Sequence, residues 1–366
     1  MSAFLLSALA AAVVGAVVAW RIRASVERGR KFRRGRLLAM VAGLVYGVLG
    51  RLLFGLSYAH WDVPIPDSVT SALGVMTGSF LFVLPVAIGY LDQSVADELS
   101  DAPYHWVLAF FVPMQSVLLM LGLMALLSIE GTICIAMASP AFLLLAGLGG
   151  LVGHAVRRHT NERTRTGLLS VALLMPYVAC PIEQRFTVPE ERREVENAVK
   201  IRAPPGIVWE EIASVPAISR SELPFRVAHL IGLPRPVEAT LSEHRTGGVR
   251  IATFERGLSF RETVTRWEPA RALSFSIHVE DAPSAALDEH VAVGGPFFDV
   301  LDGTYELEAT PDGGTLLRLT SHQRLSTRFN FYARLWTDFV MSDLQSAIMS
   351  VVRERSERAS AQRAGT

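Results

Sequence analysis

The sequence predicts a multi-pass α-helical membrane domain of six helices, followed by an α+β domain with a curved antiparallel sheet and a long C-terminal helix. Residues 1–183 contain six apolar stretches, each near the roughly 20 residues that a helix needs to cross a bilayer. The chain is 50% hydrophobic with a mean hydropathy of +0.32, which is high for a water-soluble protein of this size. Residues 196–356 instead alternate short strand-like runs with turns, and they close with one long amphipathic segment.

Charge and cysteine content exclude several function classes. The 366 residues carry 35 basic and 35 acidic side chains, so the formal net charge is zero. A nucleic-acid-binding surface needs a strong basic excess, which neither half of the chain has. The two cysteines, Cys134 and Cys180, lie in predicted spans at a spacing that fits no zinc motif. We therefore predict no metal, no cofactor and no nucleic-acid partner.

The six spans are placed where an apolar helix can pair all of its backbone N–H and C=O groups internally. They are predicted at residues 2–20, 37–57, 69–91, 105–128, 131–156 and 166–183. Basic residues follow the first span rather than precede it, which favours a retained span over a cleaved signal peptide. Glycine pairs four residues apart, Gly43 with Gly47 and Gly149 with Gly153, predict close helix packing.

The basic loops set the predicted orientation. Loops 21–36 and 157–165 are rich in arginine and are expected in the cytoplasm, whereas loop 58–68 has no Lys or Arg. This places the N-terminus and the C-terminal domain outside the cytoplasm, and the arginine-rich composition favours a bacterial inner (cell) membrane. A miscount of one span would move the C-terminal domain to the cytoplasm.

Polar residues near the span ends are interpreted as solvated or interfacial. Asp92, Asp97, Glu98 and Asp101 read as an acidic loop between the third and fourth spans. Arg51 and His154 read as side chains that reach the membrane interface.

The C-terminal domain begins after a charged linker at 184–195 and is predicted from alternating hydrophobicity and turn residues. Strands are predicted at 195–202, 236–243, 248–256, 258–267, 272–280, 302–310 and 314–324. A short helix follows the Pro-Pro-Gly break at 204–206, a short helix or loop covers 216–229, and 281–300 reads as a loop. The last helix is expected from Ser326 to about Arg358, because its apolar residues keep a helical period, and residues 359–366 are expected to be disordered.

Several segments carry a family resemblance. They are Val199–Trp209 (a strand that leads into a helix), Phe260–Pro269, Leu273–Phe275, Gly303–Tyr305, Gly313–Leu316, Leu319–Ser321 and the last helix with Tyr332 and Trp336. Residues 196–356 resemble the START-like or SRPBCC superfamily of helix-grip proteins, which includes polyketide cyclase-like proteins. The resemblance covers none of the membrane half. It implies a pocket for a lipid-like or polycyclic ligand between sheet and helix, and it supplies no universal catalytic residue.

The candidate site residues come from side-chain chemistry. Glu262 shares a strand face with Phe260 and Val264, because side chains two apart point to the same side. If that face is inward, burial would raise the carboxyl pKa and suit acid–base work; the alternative is a structural ion pair with a nearby arginine. The predicted lining of the cavity is Phe260, Glu262, Val264, Tyr305, Phe331, Leu335, Trp336 and Phe339. Glu262 is the one weak catalytic candidate.

Three functions remain open at this point. The leading hypothesis is membrane-anchored binding or transfer of a hydrophobic ligand such as a lipid, a quinone or a polyketide-like molecule. The expected partners are therefore the lipid bilayer and a hydrophobic small molecule, with any protein partner unknown. The second hypothesis is a cyclase- or aromatase-like enzyme that uses Glu262. The third is an interaction scaffold whose cavity is filled by its own Trp and Phe side chains.

Overall fold

A computed structural model of the chain describes residues 30–56, 76–99, 105–283 and 291–364. The chain divides into two compact units, Met1–Thr187 and Val188–Thr366. The first predicted span, at 2–20, lies outside the described residues.

The described part of the N-terminal unit is helical. Its helices are α1 (Arg30–Leu56), α2 (Leu84–Glu98, preceded by a π-helical turn at Ser79–Val83), α3 (Trp106–Leu126), α4 (Thr132–His159) and α5 (Glu162–Glu183). Within the described residues, five helical segments are long and apolar enough to cross a membrane, and each overlaps one of the last five predicted spans. This finding concerns length and composition, so their insertion in a bilayer stays a prediction.

Glycines let these helices pack backbone against backbone. A Cβ added to Gly89 of α2 would lie 1.9 Å from the carbonyl oxygen of Ala146 on α4. A Cβ at Gly149 would lie 2.1 Å from the carbonyl oxygen of Val86. The predicted role of Gly149 in close helix packing is therefore confirmed.

The acidic loop predicted after residue 91 is wrong for Asp92 and Asp97. Helix α2 continues to Glu98, and both carboxylates are buried inside the unit. The helix extends because side chains on neighbouring helices pair with both carboxylates. The Ser116 hydroxyl donates to Asp92 at 2.5 Å, and Arg157 lies 3.5 Å from Asp97. His154 is also buried inside the unit, and its depth relative to a membrane stays a prediction.

The described part of the C-terminal unit contains one seven-stranded antiparallel sheet, two short α-helices and a long one. The strands are β1 (Glu191–Ile201), β2 (Pro236–Leu241), β3 (Val249–Phe254), β4 (Ser259–Glu268), β5 (Ala272–Asp281), β6 (Phe298–Ala309) and β7 (Thr315–Leu325), in the spatial order β1-β7-β6-β5-β4-β3-β2. The helices are α6 (Pro205–Ala213), α7 (Val227–Leu230) and α8 (Asn330–Ala364).

Register shifts at four places in the sheet act as bulges, which bend strands and increase their twist. Helix α8 packs along β1 on the concave side, where the Asn197 amide donates to Gln345 at 2.6 Å and Arg193 pairs with Asp338 at 2.6 Å. A curved antiparallel sheet that holds one long C-terminal helix is the helix-grip arrangement predicted for this half of the chain.

Several predicted boundaries need correction. Strand β1 begins at Glu191, so residues 191–195 of the predicted linker 184–195 belong to the sheet, because β7 offers them backbone partners down to the pair Glu191–Leu325. Strand β6 begins at Phe298, inside the predicted loop 281–300. Helix α8 begins at Asn330 and continues to Ala364, which makes most of the predicted disordered tail helical. Its last turns are held by the packing of Ala359 against the core and by an ion pair from Arg363 to Glu210.

Candidate functional site

The interior of the C-terminal unit lies between the concave face of the sheet and the helices α6 and α8. Aromatic side chains fill its end near α6. Trp209 and Trp267 meet edge to face at 4.9 Å between ring centres, and Phe275 and Tyr305 lie 6.1 Å apart. The chain's own side chains therefore occupy this end of the interior.

A buried ion pair projects into the same interior. Arg250 on β3 and Glu262 on β4 are cross-strand partners, and the Arg250 Nε donates to Glu262 Oε2 at 2.5 Å. A second guanidinium nitrogen donates to the Ile212 carbonyl of α6 at 2.7 Å, and the guanidinium carbon lies 4.6 Å from the centre of the Phe275 ring. Arg250 is 5% exposed and Glu262 is 6% exposed. The two charges are thus removed from water and depend on each other.

Burial sets the electrostatics of this pair. It raises the pKa of the Glu262 carboxyl above its usual value, and the attraction of Arg250 opposes that shift. Burial also disfavours the charge on Arg250, but Glu262 and Tyr305 together hold the pKa of Arg250 above its usual value. Glu262 therefore combines the two readings left open by the sequence: it faces inward, and it pairs with an arginine.

The predicted lining residues differ in how deeply they are buried and in which cluster they join. Val264 and Tyr305 belong to the main interior cluster, and Trp336 is also buried. Phe260 is buried in an adjoining cluster with Val215, Ala239, Ala252 and Leu258. Phe339 is half-buried. Contact of any of these residues with a ligand stays a prediction.

Phe331 and Leu335 do not lie in the interior. They are 59% and 58% exposed, on a face of α8 turned away from buried Ala333 and Trp336. The helical period of the apolar residues includes both side chains, but the first turns of α8 bury a different face. Their assignment as cavity residues is therefore corrected.

A polar cluster that the sequence analysis missed lies on the inner face of β7. Gln323 is fully buried, and its Nε2 donates to the Ser321 hydroxyl oxygen at 2.6 Å. Gln345 of α8 donates to the same oxygen at 2.7 Å and to the Val195 carbonyl at 3.0 Å. Among the described residues, the Gln323 Oε1 has no hydrogen-bond partner.

Strand alternation could have revealed this cluster. Ser321 and Gln323 are two and four residues after Leu319, which is buried, so all three side chains share the inner face. Two polar residues at consecutive inward positions of a central strand are the sequence pattern that indicates such a buried cluster.

An open pocket of about 480 Å³ lies apart from the interior site, near the turn that joins β3 to β4. Its lining residues are Arg220, His229, Gly232, Leu233, Arg235, Glu255 and Arg256. None of them was predicted from the sequence. In the described parts of the chain, no group of three or more His, Cys, Asp or Glu side chains is arranged to hold a metal ion.

Comparisons with known proteins give similar structures but no sequence family. No protein-family model matches the chain, and no curated protein matches it in sequence. The chain is similar to the Zhui aromatase/cyclase from Streptomyces sp. R1128, with 16% identity over 47% of this chain and 98% of that one, at a TM-score of 0.31. It is also similar to a truncated norcoclaurine synthase from Thalictrum flavum, with 7% identity over 46% of this chain and 96% of that one, at a TM-score of 0.30. The helix-grip assignment itself rests on the sheet order and on helix α8.

Proposed function

We propose that the C-terminal unit binds a hydrophobic molecule that carries a polar group, such as a lipid, a quinone or a polyketide-like compound, and that the N-terminal helices hold this unit beside a membrane. The observation that carries the proposal is the Gln323 Oε1 on the inner face of the sheet, which has no hydrogen-bond partner in the described part of the chain.

The free-energy cost of a buried amide oxygen without a hydrogen bond supports the presence of a bound ligand. Leaving a buried acceptor unsatisfied costs about 1–3 kcal/mol, so such groups in native proteins usually pair with water or with a ligand. Ligand sites in proteins are largely apolar and contain a few polar groups that orient the ligand. The interior beside α8 has this composition, with Gln323, Gln345 and Ser321 set among aliphatic and aromatic side chains.

The chain between the two units supports the membrane part of the proposal. Seven residues, 184–190, separate the end of α5 from the start of β1, which at full extension is a tether of roughly 25 Å. A short tether raises the effective concentration of lipid-dissolved ligands at the binding unit. The role would then be extraction, transfer or sensing of a membrane-dissolved molecule.

Native mass spectrometry of the full chain, purified in a mild detergent, tests the proposal. We expect a small apolar molecule to remain bound to the unmodified protein. Gln323→Leu should lower its occupancy by about five- to tenfold, which corresponds to the loss of one buried hydrogen bond. Gln362→Leu makes the same chemical change at an exposed position near the end of α8 and should leave the occupancy unchanged. Protein that carries no ligand, or equal occupancy in Gln323→Leu, would contradict the proposal.

The raised pKa of Glu262 favours a second candidate, a cyclase- or aromatase-like enzyme. A carboxylate whose pKa is raised by burial is a stronger base than a solvated one, so Glu262 can act as a general base toward a ligand in the same interior. Incubation of the extracted ligand with the unmodified protein should then yield a cyclised or dehydrated product, and Glu262→Gln should yield none. Recovery of the ligand unchanged from both proteins would rule this candidate out.

The aromatic packing near α6 is the observation that favours the third candidate, an interaction scaffold. A protein that is consistently free of ligand in native mass spectrometry would support it.

A further inference from the structure

The open pocket near the β3–β4 turn is a second site, separate from the interior. None of its seven lining residues belongs to the Arg250–Glu262 pair or to the Gln323 cluster. An inference about this pocket therefore does not depend on the proposed function.

The charges of the pocket are unbalanced. Arg220, Arg235 and Arg256 line it together with one carboxylate, Glu255, which leaves a net charge of 3 − 1 = +2. His229 adds no positive charge near neutral pH, because burial lowers its pKa. Such an excess of positive charge in a concave surface attracts anions.

Glu255 positions two of the arginines. Its Oε1 accepts a hydrogen bond from the Arg220 guanidinium at 2.9 Å and lies 3.6 Å from an Arg235 guanidinium nitrogen. Because each guanidinium has five N–H donors in a fixed plane, a single carboxylate cannot accept all of those that the two arginines offer. The carboxylate thus fixes the side chains and leaves donor capacity at the pocket.

The third arginine is held by unusual backbone geometry. Arg256 adopts a left-handed conformation with φ of 62°, which is uncommon for a long side chain, and Gly257 follows with φ of 78°. The Arg256 guanidinium donates to the carbonyl oxygen of Gly232, whose own φ is 114°. Backbone strain of this kind concentrates at binding sites, and here it directs a cation into the pocket.

We propose that this pocket binds a phosphate group, carried either by a lipid headgroup or by a free phosphate compound. A phosphate monoester has a charge of about −1.5 to −2 at neutral pH, which matches the net charge of the lining. Planar guanidinium groups also bind phosphate oxygens in pairs, and three of them surround one space here. A single carboxylate ligand would neutralise only half of that charge.

Calorimetric titration of the full chain in a non-ionic, phosphate-free detergent tests the proposal. The probes are inorganic phosphate, glycerol phosphate and a short-chain phosphatidic acid. Arg256→Asn removes the guanidinium with a residue that tolerates positive φ, and Arg235→Gln removes a second cation. Arg266→Gln is the matched control, because Arg266 is a similarly exposed arginine paired with a carboxylate, Glu268, outside the pocket.

We expect saturable binding by the unmodified protein, and a loss of affinity of at least about tenfold in Arg256→Asn and in Arg235→Gln, each of which removes a charge-assisted contact. Arg266→Gln should bind within about twofold of the unmodified protein. Thermal unfolding of each variant shows whether its fold is retained.

The probes identify the source of the phosphate. Phosphatidic acid that binds far more tightly than glycerol phosphate indicates a lipid headgroup, and equal affinities indicate a free phosphate compound. Absence of saturable binding by all three probes overturns the proposal, and so does an equal loss of affinity in Arg266→Gln.

Discussion

At the residue scale, the ion pair between Arg250 and Glu262 places two charges in the buried interior of the C-terminal unit. Taking two charges out of water costs several kcal/mol for each ion, and mutual attraction offsets this only while both partners are present. The extra contacts of Arg250 with the Ile212 carbonyl and the Phe275 ring satisfy its remaining donors and cover its face. Loss of one partner would therefore leave a charge buried without compensation.

Glu262→Gln tests this dependence. We expect the variant to lower the free energy of unfolding by about 3–5 kcal/mol, because the Arg250 guanidinium stays charged and buried without its counter-ion. The measurement is thermal or urea unfolding of the full chain in detergent, followed by the signal of the C-terminal unit.

The double variant Arg250→Met, Glu262→Leu is the control. It removes both charges while keeping similar volumes, so it should recover most of the stability lost in the single variant. A single variant as stable as the unmodified protein would show that the pair does not hold this part of the interior together.

The inward direction of Glu262 follows from strand alternation, which is local and readable in the sequence. The identity of its partner does not, because Arg250 meets Glu262 only through the β3–β4 register, which the turn between Phe254 and Ser259 sets. The inward direction of Gln323 likewise follows from strand alternation. Its surroundings do not, because they depend on the position of Gln345 on α8, which donates to the neighbouring Ser321 hydroxyl oxygen.

At the element scale, His322 joins three strands on the outer face of the sheet. Its Nδ1 lies 2.7 Å from Asp302 on β6, and its Nε2 lies 3.3 Å from Glu194 on β1. The hydrogen bond to Asp302 contributes most to raising the histidine pKa above its ordinary value of 6.5. Protonated His322 therefore favours the folded sheet.

The pH dependence has a definite sign. A raised folded-state pKa adds stability that is fully present below about pH 6.5, the unfolded value, and is lost as the pH rises through the folded value. His322→Gln should thus lower the unfolding midpoint most near pH 6 and much less near pH 9. The side chain is 44% exposed, so the effect should be about 1 kcal/mol or less. A difference between the two proteins that grows toward high pH would contradict this role.

Helix packing in the N-terminal unit depends on Gly89. Gly89→Ala would place a Cβ 1.9 Å from a backbone oxygen of α4, and backbone atoms cannot rotate aside as a side chain can. We expect a large loss of stability and of folded protein after detergent extraction. Gly122→Ala on α3 is the control, since no described atom beyond its own stretch of helix lies within 4 Å of its added Cβ, and it should be neutral or slightly stabilising. Equal yields and melting curves for the two variants would refute the close contact.

Element types were predicted better than element ends. Helical and strand periods are local, which is why the five described helices and the sheet agree with the expectation. The ends depend on partners elsewhere. The Ser116 hydroxyl donates to Asp92 near the end of α2, β7 pairs with β1 back to Glu191, and Arg363 at the end of α8 pairs with Glu210. Those partners are distant in sequence, so composition alone placed these ends too early or too late.

At the scale of the whole molecule, the division into two units follows from composition, because apolar spans and alternating strands differ in period and in charge. Orientation across the membrane is a separate matter. It depends on the arginines of 157–165, where α4 ends and α5 begins, and on whether the single helix α5 (Glu162–Glu183) crosses the bilayer. If it does, the C-terminal unit lies on the opposite side from those arginines, outside the cytoplasm.

Cysteine labelling in intact cells tests this orientation. The chain has two cysteines, so replacing Cys134 and Cys180 by alanine gives a clean background. Thr246→Cys then introduces a thiol at an exposed turn of the C-terminal unit, and Thr164→Cys introduces one at an exposed position within the basic segment 157–165, in the first turn of α5. A membrane-impermeant maleimide should label Thr246→Cys in intact cells whose outer membrane has been opened, and Thr164→Cys only after lysis.

The pattern of labelling separates the possible arrangements. Labelling of both positions only after lysis would mean that α5 does not cross and that the C-terminal unit is cytoplasmic, since the two sites are separated by this helix alone. The reverse pattern, with Thr164→Cys accessible and Thr246→Cys protected, would mean that all spans are inverted and that the arginines of 157–165 do not set the orientation. Either result would leave the C-terminal unit facing the cytoplasmic leaflet, so its hydrophobic ligand would have to come from that side.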